Sequence, residues 1–438
     1  MSITKKNAPR FLIKTLGCKV NQYDSEKIRT QLLHSGYQVA SGDDSESPDL
    51  IIVNTCSVTA ESDRKGRQMI RKLIRRHPNA RVMVTGCYSE RKPEEILKID
   101  GVNELVAIEK QAEWVQQLAD DLGWGCDDQA ALWDSSQGIE LFHEHTRAFV
   151  KIQDGCDLKC TFCSIPQGRG KARSRQMPEI LDECRQLVDS GYHEIVFCGI
   201  CLGYYGRGMD VTLPDLLRRA AEIDGIKRIR ISSFEPQHAN DDLFQVMQEK
   251  GDVICPHLHL PLQSGSNRIL RRMNRLYKAE YFMERVQTAR DILPHFELST
   301  DIMVGFPGET DQDFQDTIDM VKNCEFCKVH AFRFSAREDT PALRMSDKLE
   351  PKLIEERRKE LDRVTGAVVD KVKKRYIGNT MLVLVESVDA GHCAGFTINY
   401  LRVEFDAQHE VCSGDEVSVE ITDLKKGNLV GNTVLKGE

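Results

Sequence analysis

The segment AFVKIQDGCDLKCTFC, residues 148–163, joins a short apolar run to three closely spaced cysteines. Its first five residues predict a buried strand, and the cysteines follow where that strand would end. Further apolar runs, at 194–200, 228–233, 258–262, 297–305 and 328–334, alternate with helical patterns. Six such β/α units predict a parallel sheet curled into a partial barrel, with its functional groups at the carboxyl ends of the strands.

A second alternation of strands and helices precedes this segment. The runs FLIKTL (11–16), DLIIVN (49–54) and RVMVTG (81–86) are predicted to be parallel strands of a doubly wound sheet, with helices at 25–35 and 61–77. One cysteine follows each strand, namely Cys18, Cys56 and Cys87. Because ligands collect beyond the carboxyl ends of the strands in an open parallel sheet, we expect these three thiols to meet at one rim.

The carboxyl-terminal part has a different pattern. A charged helix is predicted at 351–376, and the alternation beyond it predicts a small antiparallel barrel of about sixty residues. The chain is therefore expected to be an α/β protein with three domains. We place the doubly wound domain at 9–121, a linker at 122–141, the partial barrel at 142–371 and the small barrel at 374–438.

Composition narrows the function classes. The 438 residues carry a net charge of −8, with 40% hydrophobic and 29% charged residues, which is ordinary for a soluble globular protein. No run approaches the roughly twenty apolar residues that cross a bilayer, and the amino-terminal segment lacks a signal-peptide core. We therefore expect a cytoplasmic protein with no membrane partner. Fifteen cysteines in a reducing compartment indicate metal ligands, redox groups or buried apolar side chains.

The spacing of Cys156, Cys160 and Cys163 suits a four-iron cluster. A short loop can hold three irons with these thiols and leave the fourth iron open for an outside ligand. The alternative is a zinc site made from the two C-x-x-C pairs, Cys198 with Cys201 and Cys324 with Cys327. Those pairs lie within barrel elements far apart in the sequence, which favours buried apolar cysteines.

At this point the chain resembles a known family, the radical S-adenosylmethionine enzymes, and among them the methylthiotransferases. Besides the cysteine loop in IQDGCDLKCTFCSIPQGRGKARSR (152–175), the resemblance rests on TLGCKVNQYDSE (15–26), NTCSVT (54–59), TGC (85–87), SSFEP (232–236), LPLQSGSNRILRRMNR (260–275) and DIMVGFPGE (301–309). These motifs span almost the whole chain. The carboxyl-terminal barrel resembles the appended RNA-binding domain of that family, known as TRAM.

The resemblance implies two four-iron clusters, with S-adenosylmethionine as radical source and methyl donor. The cysteines of the C-x3-C-x2-C loop would hold the radical cluster, and the three rim cysteines would hold a second cluster that presents sulfur. An aromatic C–H bond is too weakly acidic for a side-chain base, so a cofactor radical has to open it. The residues implied to contact S-adenosylmethionine are Gly199, Ser233, Glu235, Gln263, Asp301, Ile302 and Gly305. An electron donor such as a flavodoxin or ferredoxin and a sulfur source are further implied, and we expect a monomer.

Basic residues follow the cysteine loop and suit a phosphate backbone. We predict RNA contacts at Arg169, Lys171, Arg173, Arg175, Lys425 and Lys426. Basic residues also crowd the predicted helix at 64–76, where a solvated helix face is an equal alternative. Residues 377–438 contain four basic residues against ten acidic ones, which weakens a broad electrostatic grip by this domain.

The resemblance also bears on the substrate. The motif GCKVNQ (17–22) looks most like the branch that modifies N6-threonylcarbamoyladenosine beside the tRNA anticodon, and FRFSAREDTPALRM (332–345) supports this assignment. We therefore expect a methylthiotransferase that forms the 2-methylthio derivative of this nucleoside. Two alternatives stay open. One is the same chemistry on N6-isopentenyladenosine or on an aspartate of a ribosomal protein, and the other is a non-catalytic iron-sulfur or zinc protein that binds RNA.

Overall fold

The computed structural model describes residues 8–40, 47–121, 139, 142, 146–407 and 410–434. Two compact units are present. The first unit comprises Met1–His143, Phe149–Leu158 and Cys163–Ser190, and the second comprises Glu144–Ala148, Lys159–Phe162 and Gly191–Glu438. The predicted domain boundaries stay predictions, and the linker expected at 122–141 lies outside the described residues apart from Ile139.

The first unit contains a parallel sheet with the strand order β2-β1-β3-β4-β5. Its strands are β1 (Arg10–Thr15), β2 (Gln38–Val39), β3 (Leu50–Thr55), β4 (Arg81–Gly86) and β5 (Glu104–Leu105). Its helices are α1 (Lys19–His34), α2 (Ala60–Arg76), α3 (Cys87–Arg91), α4 (Pro93–Leu97) and α5 (Gln111–Asp121). The doubly wound α/β fold is as predicted. Helix α1 begins at Lys19 and not near Ser25. Its first turns bury the polar residues Asn21, Asp24 and Ser25 beside Val20 and Tyr23, so the apolar periodicity does not mark the start of the helix.

Both faces of this sheet are covered, because successive strand residues point to opposite sides. One core combines Phe11, Ile13, Leu50, Ile52 and Met83 with side chains of α1 and α5. The other combines Ile51, Val53, Val82 and Val84 with side chains of α2. Burial on two faces explains why these strands appear in the sequence as continuous apolar runs.

The cysteine loop begins in a small hairpin. After β6 (Ala148–Lys151), strand β7 (Gln153–Asp154) pairs antiparallel with β8 (Arg173–Ser174). Helix α6 (Ile165–Arg169) lies between them in sequence, and α7 (Met177–Asp189) follows. The backbone N–H of Cys156 donates to the carbonyl of Gly170 at 3.1 Å, so the hairpin ties the start of the loop to its return.

The second unit contains the parallel strands of the predicted partial barrel. These are β9 (Glu194–Cys198), β10 (Arg228–Ile231), β11 (His257–His259), β12 (Glu297–Val304) and β13 (Lys328–Arg333). Strand β9 pairs with β10, strands β11, β12 and β13 pair in turn, and a bridge between Ser233 and His259 links the two sets. The alternating helices are α8 (Leu213–Ala220), α9 (Asp241–Glu249), α10 (Asn267–Arg272), α11 (Ala279–Ile292) and α12 (Asp311–Cys324).

A long charged helix, α13 (Pro351–Lys374), leads into a closed five-stranded barrel. The barrel consists of β14 (Thr380–Asp389), β15 (His392–Thr397), β16 (Arg402–Asp406), β17 (Glu416–Lys425) and β18 (Asn428–Thr433). Its pairs are antiparallel as predicted, except that β16 and β18 run parallel. Among the described residues, no helix combines the length and the apolar character needed to cross a bilayer.

Candidate functional site

Three cysteines lie at one rim of the sheet in the first unit. Cys18 caps the start of α1, Cys56 follows β3 directly, and Cys87 begins α3. Gly17 packs so closely on Cys56 that an added Cβ would lie 3.2 Å from its sulfur, and its φ of +118° is one that glycine adopts easily. Burial raises the pKa of the Cys56 and Cys87 thiols, that of Cys87 to about 11, and neighbouring Cys18 raises both further. The structure thus brings the three thiols together.

The chemistry of this donor set fits an iron-sulfur cluster. Three thiols at strand ends provide three ligands and leave one iron open, as a cluster with an exchangeable site requires. The raised pKa values of Cys56 and Cys87 keep these two sulfurs protonated in the absence of metal, so cluster binding releases their protons.

In the C-x3-C-x2-C loop, each cysteine sulfur accepts a hydrogen bond. Cys156 and Cys163 each accept from the backbone N–H two residues later, at 3.4 and 3.5 Å. Cys160 accepts from Nη1 of Arg275 at 3.3 Å. Donors of this kind stabilise the negative charge of thiolate ligands. All three side chains are partly exposed, so this loop also fits a cluster that an outside ligand can reach.

Arg169 is fully buried beside the rim. Its Nε donates to the Cys87 sulfur at 3.3 Å, and its Nη1 lies 2.7 Å from Asp24 and 3.2 Å from Asp154. Its Nη2 donates to the side-chain oxygen of Asn21. Because this guanidinium has no exposed surface and already pairs with two carboxylates, its position argues against the predicted contact with RNA.

The short helix α6 packs against the rim and carries Arg169 to it. The hydroxyl of Ser164 donates to the carbonyl of Ser57 at 3.3 Å. An added Cβ on Gly168 would lie 3.1 Å from the carbonyl oxygen of Cys87, so a larger residue there would crowd the rim. The segment that leaves the cysteine loop is therefore fixed against the loops that carry Cys56 and Cys87.

The residues implied for S-adenosylmethionine binding all belong to the second unit. Gly199 follows β9, Ser233 and Glu235 follow β10, Gln263 follows β11, and Asp301, Ile302 and Gly305 lie in or just after β12. Gln263 has a left-handed φ of 66° and its N–H donates to the carbonyl of Asp301 at 2.8 Å. Nε2 of His259 lies 3.3 Å from the Asp301 carboxylate, and Glu235 forms an ion pair with Arg275.

The four cysteines of the zinc alternative are buried, with 2% exposure or less. Burial raises the pKa of Cys324 to about 12, as expected for a thiol in an apolar environment. In the described part of the chain, no three His, Cys, Asp or Glu side chains are grouped as ligands of one ion. The ligands of a four-iron cluster bind separate irons and stand farther apart, so this observation concerns a single-ion site only.

The predicted RNA contacts differ in exposure. Lys171, Arg173, Lys425 and Lys426 are exposed. Arg175 is half-buried, and its guanidinium lies 2.6 Å from Glu183. Helix α2 adds the exposed cations Arg71, Lys72 and Arg75.

A polar cavity of about 370 Å³ lies in the first unit, between α1, the start of α5 and the β7–β8 hairpin. Its lining includes the cations Lys27, Lys151, Arg173 and Arg175. Burial, followed by the charges of Arg175 and Lys151, lowers the pKa of Lys27 to about 8. Four carboxylates, those of Asp24, Glu109, Asp154 and Glu179, also line the cavity, so its charges are balanced.

Sequence reasoning missed the residues that hold the two sulfur sites in place. Asp24 and Asp154 fix Arg169, and Arg275 contacts Cys160. Asp24 lies in the motif at 15–26 and Asp154 in the motif at 152–175, and nothing in these two motifs indicates that both carboxylates contact Arg169. Arg275 lies 115 residues from Cys160, so only the fold reveals this pair.

Two protein-family descriptions match the chain. The Radical SAM superfamily matches residues 150–321, and the Uncharacterized protein family UPF0004 matches residues 10–107. The first match contains the C-x3-C-x2-C loop, and the second contains the three rim cysteines.

Curated relatives match over nearly the full length. Threonylcarbamoyladenosine tRNA methylthiotransferase MtaB of Bacillus subtilis (strain 168) is 36% identical over 94% of this chain and 93% of its own. The tRNA-2-methylthio-N(6)-dimethylallyladenosine synthase of Hydrogenobaculum sp. (strain Y04AAS1) is 36% identical over 94% of this chain and 96% of its own. The radical S-adenosylmethionine methyltransferase TsrM of Kitasatospora setae has a similar fold, with a TM-score of 0.57 and 13% identity over 89% of this chain and 81% of that chain.

Proposed function

Because the chain belongs to the radical S-adenosylmethionine tRNA methylthiotransferase family, we propose that it converts N6-threonylcarbamoyladenosine in tRNA to its 2-methylthio derivative. The observation that carries the proposal is the pair of three-cysteine sets, one at the rim and one in the loop. The nucleoside is supported by the GCKVNQ motif and by the name of the Bacillus subtilis relative. The second relative carries another nucleoside in its name at the same identity, so the experiment has to separate the two.

The two sets of thiols have different tasks in this proposal. The loop cysteines Cys156, Cys160 and Cys163 hold one four-iron cluster, and Cys18, Cys56 and Cys87 hold another. When bound, the clusters supply reductive cleavage of S-adenosylmethionine and delivery of sulfur, respectively. The chain itself orients the loop sulfurs through two backbone N–H donors and Arg275, and at the rim it buries Cys56 and half-buries Cys87.

The chain between the two sets is short. From Cys163 to Arg169 it takes two extended steps and four helical steps, which together span at most about 13 Å. Arg169 then reaches the Cys87 sulfur directly. This supports a mechanism in which one adenosine base is served by both sets without a large movement of the segment between them.

Exposed cations are proposed to bind the RNA backbone. Lys171 and Arg173 beside the cysteine loop and the exposed cations of α2 are the first candidates, with Lys425 and Lys426 as a separate local face. Contacts of this kind weaken as salt rises, because phosphate binding releases counterions. We further propose a flavodoxin or ferredoxin as electron donor, a separate sulfur source and a monomeric chain.

The test is nucleoside mass spectrometry after anaerobic incubation of the reconstituted protein with S-adenosylmethionine, a reductant and tRNA free of methylthio groups. The tRNA should carry both threonylcarbamoyl- and isopentenyl-adenosine. We expect a methylthio product on the threonylcarbamoyl nucleoside alone. A product on isopentenyladenosine would keep the reaction and overturn the substrate.

Two variants separate the roles of the cysteine sets. Cys156→Ala is expected to stop formation of 5′-deoxyadenosine and of product. Cys87→Ala is expected to stop product formation while 5′-deoxyadenosine still appears. If wild type cleaves S-adenosylmethionine but modifies neither nucleoside, the substrate is to be sought on ribosomal protein. If it binds tRNA without cleaving S-adenosylmethionine under any reducing condition, the non-catalytic alternative replaces the proposal.

A further inference from the structure

We propose that Arg169 is a positioning residue for the cluster held by the three rim cysteines. Its Nε–H donates a hydrogen bond to the Cys87 sulfur and thereby raises the reduction potential of that cluster. The inference rests on the proposed function, because it takes Cys18, Cys56 and Cys87 as cluster ligands. The sequence predicts an RNA contact for this arginine. Its burial and its contact with Cys87 give it another task.

The direction of Nε follows from the other end of the guanidinium. Nη1 pairs with Asp24 and Asp154, and Nη2 donates to Asn21. Because the guanidinium is planar and rigid, these contacts fix the plane and leave Nε–H pointing at the Cys87 sulfur. Lysine keeps the positive charge but has no such fork, so it cannot hold all of these contacts at once.

The charges around Arg169 are nearly balanced. Lys151 also pairs with Asp24 and with Asp154, at 3.2 Å from the latter. Arg169 and the partly buried Lys151, with the exposed Arg173 at 3.3 Å from Asp154, therefore face two buried carboxylates, so Arg169 is held at the rim without an isolated charge in the interior. The further directed interaction of this guanidinium is the hydrogen bond from Nε to the Cys87 sulfur.

A hydrogen bond to a ligand sulfur has a known electrochemical effect. It stabilises the more negative, reduced cluster, so its loss shifts the potential downward. A positive charge near the cluster also raises its potential without a hydrogen bond, but Arg169→Lys retains that charge, so a lower potential in the lysine variant reports the directed N–H···S contact. The potential is thus the measurement that separates the two roles.

The experiment uses the full chain with Cys156, Cys160 and Cys163 changed to alanine, so that only the rim set can hold a cluster. In this background, and with Arg169→Lys or Arg169→Gln added, iron content is measured by elemental analysis and the midpoint potential by a redox titration followed by electron paramagnetic resonance. We expect both substitutions to lower the ratio of reduced to oxidised cluster about tenfold at a fixed potential, which for one electron is about 59 mV. Lys171→Gln removes an exposed cation nearby and serves as the matched control, with a much smaller shift expected.

The outcomes are separable. An unchanged potential with full iron in Arg169→Lys would overturn the inference, because that variant retains the buried charge. If Arg169→Gln fails to fold, Arg169→Lys alone decides the question. If the background chain itself holds no iron at the rim, the second cluster of the proposed function is wrong and the inference falls with it.

Discussion

At the scale of single residues, the folded protein destabilises the protonated, charged form of Lys27. Its pKa of about 8 lies below the ordinary 10.5, because burial and the nearby Arg175 and Lys151 oppose protonation. We expect Lys27→Met to raise the free energy of unfolding at pH 7 by about 2 kcal/mol. The unfolded chain keeps this proton up to about pH 10.4, whereas the folded chain loses it near pH 8. As the pH rises from 8 toward 10, the free energy of unfolding of the wild type should therefore increase relative to that of the variant.

Urea unfolding of both proteins at pH 7 and at about pH 9.5 measures this effect. The common cysteines and tyrosines titrate in both, so the difference between the proteins isolates Lys27. A difference that stays the same at the two pH values would contradict the expected burial of this charge.

The residues that the sequence could predict are those with a local signal. Cys156 and its two partners share a spacing, and the rim cysteines each follow a predicted strand. Arg169 had only its charge to suggest a role, because Asp24 lies 145 residues earlier in the chain. A basic residue after a cysteine loop looks the same in sequence whether it faces solvent or a buried carboxylate.

At the scale of elements, the contact between β12 and α13 depends on Gly305. Its φ is +77°, and an added Cβ would lie 2.6 Å from the side chain of Ile354. We expect Gly305→Ala to lower the free energy of unfolding by about 2–4 kcal/mol, through backbone strain and overpacking. Urea unfolding measures the loss.

Gly366, in the helix α13 that carries Ile354, provides the matched control. It is exposed, has a helical backbone and has nothing within 4 Å of an added Cβ. We expect Gly366→Ala to stabilise the protein by about 0.5–1 kcal/mol. Equal effects of the two substitutions would mean that the strain at Gly305 is absent.

Elements were predictable where periodicity is strong and less so where buried polar residues interrupt it. The strands of both parallel sheets follow from apolar runs. The start of α1 does not, because Asn21, Asp24 and Ser25 are buried in it although they are polar. The parallel pairing of β16 with β18 was also missed, because alternation identifies a strand but not its neighbour.

At the scale of the whole molecule, the buried carboxylate of Glu194 pairs with three arginines of the second unit. Oε1 of Glu194 lies 2.9 Å from Nε of Arg230, and Arg147 and Arg228 lie within 3.8 Å of the same carboxylate. We expect Glu194→Gln to lower the free energy of unfolding by about 3–5 kcal/mol, because it leaves the buried guanidinium of Arg230 without its counter-charge, whereas Arg147 keeps Glu386 and Arg228 keeps Glu416.

Urea unfolding of Glu194→Gln checks this expectation against an exposed pair. Asp242 lies 3.0 Å from Arg218, and the two side chains are 49% and 32% exposed, respectively. Asp242→Asn should cost about 0–1 kcal/mol. A loss at Glu194 no larger than that would mean that the buried arginines find other acceptors.

The arrangement of the two barrels in the second unit could not be predicted from the sequence. The strand pattern of the small barrel is clear in the sequence, but its attachment uses Arg228 and Arg230, which alternate with isoleucines in β10 and are buried with them. Their guanidinium groups donate to the backbone carbonyls of Leu382, Phe396, Thr397 and Ile398. Nothing in the identity of those four residues announces such contacts.

That attachment has an evolutionary consequence. Hydrogen bonds to main-chain carbonyls do not depend on the side chains of the residues that accept them, as long as the strands keep their path. Side chains of the small barrel also belong to its seat, since Glu386 pairs with Arg147, Glu416 pairs with Arg228 and the Tyr400 ring lies 4.8 Å from that of His257. A graft of a more basic module would therefore need the same backbone path together with these two carboxylates and this ring.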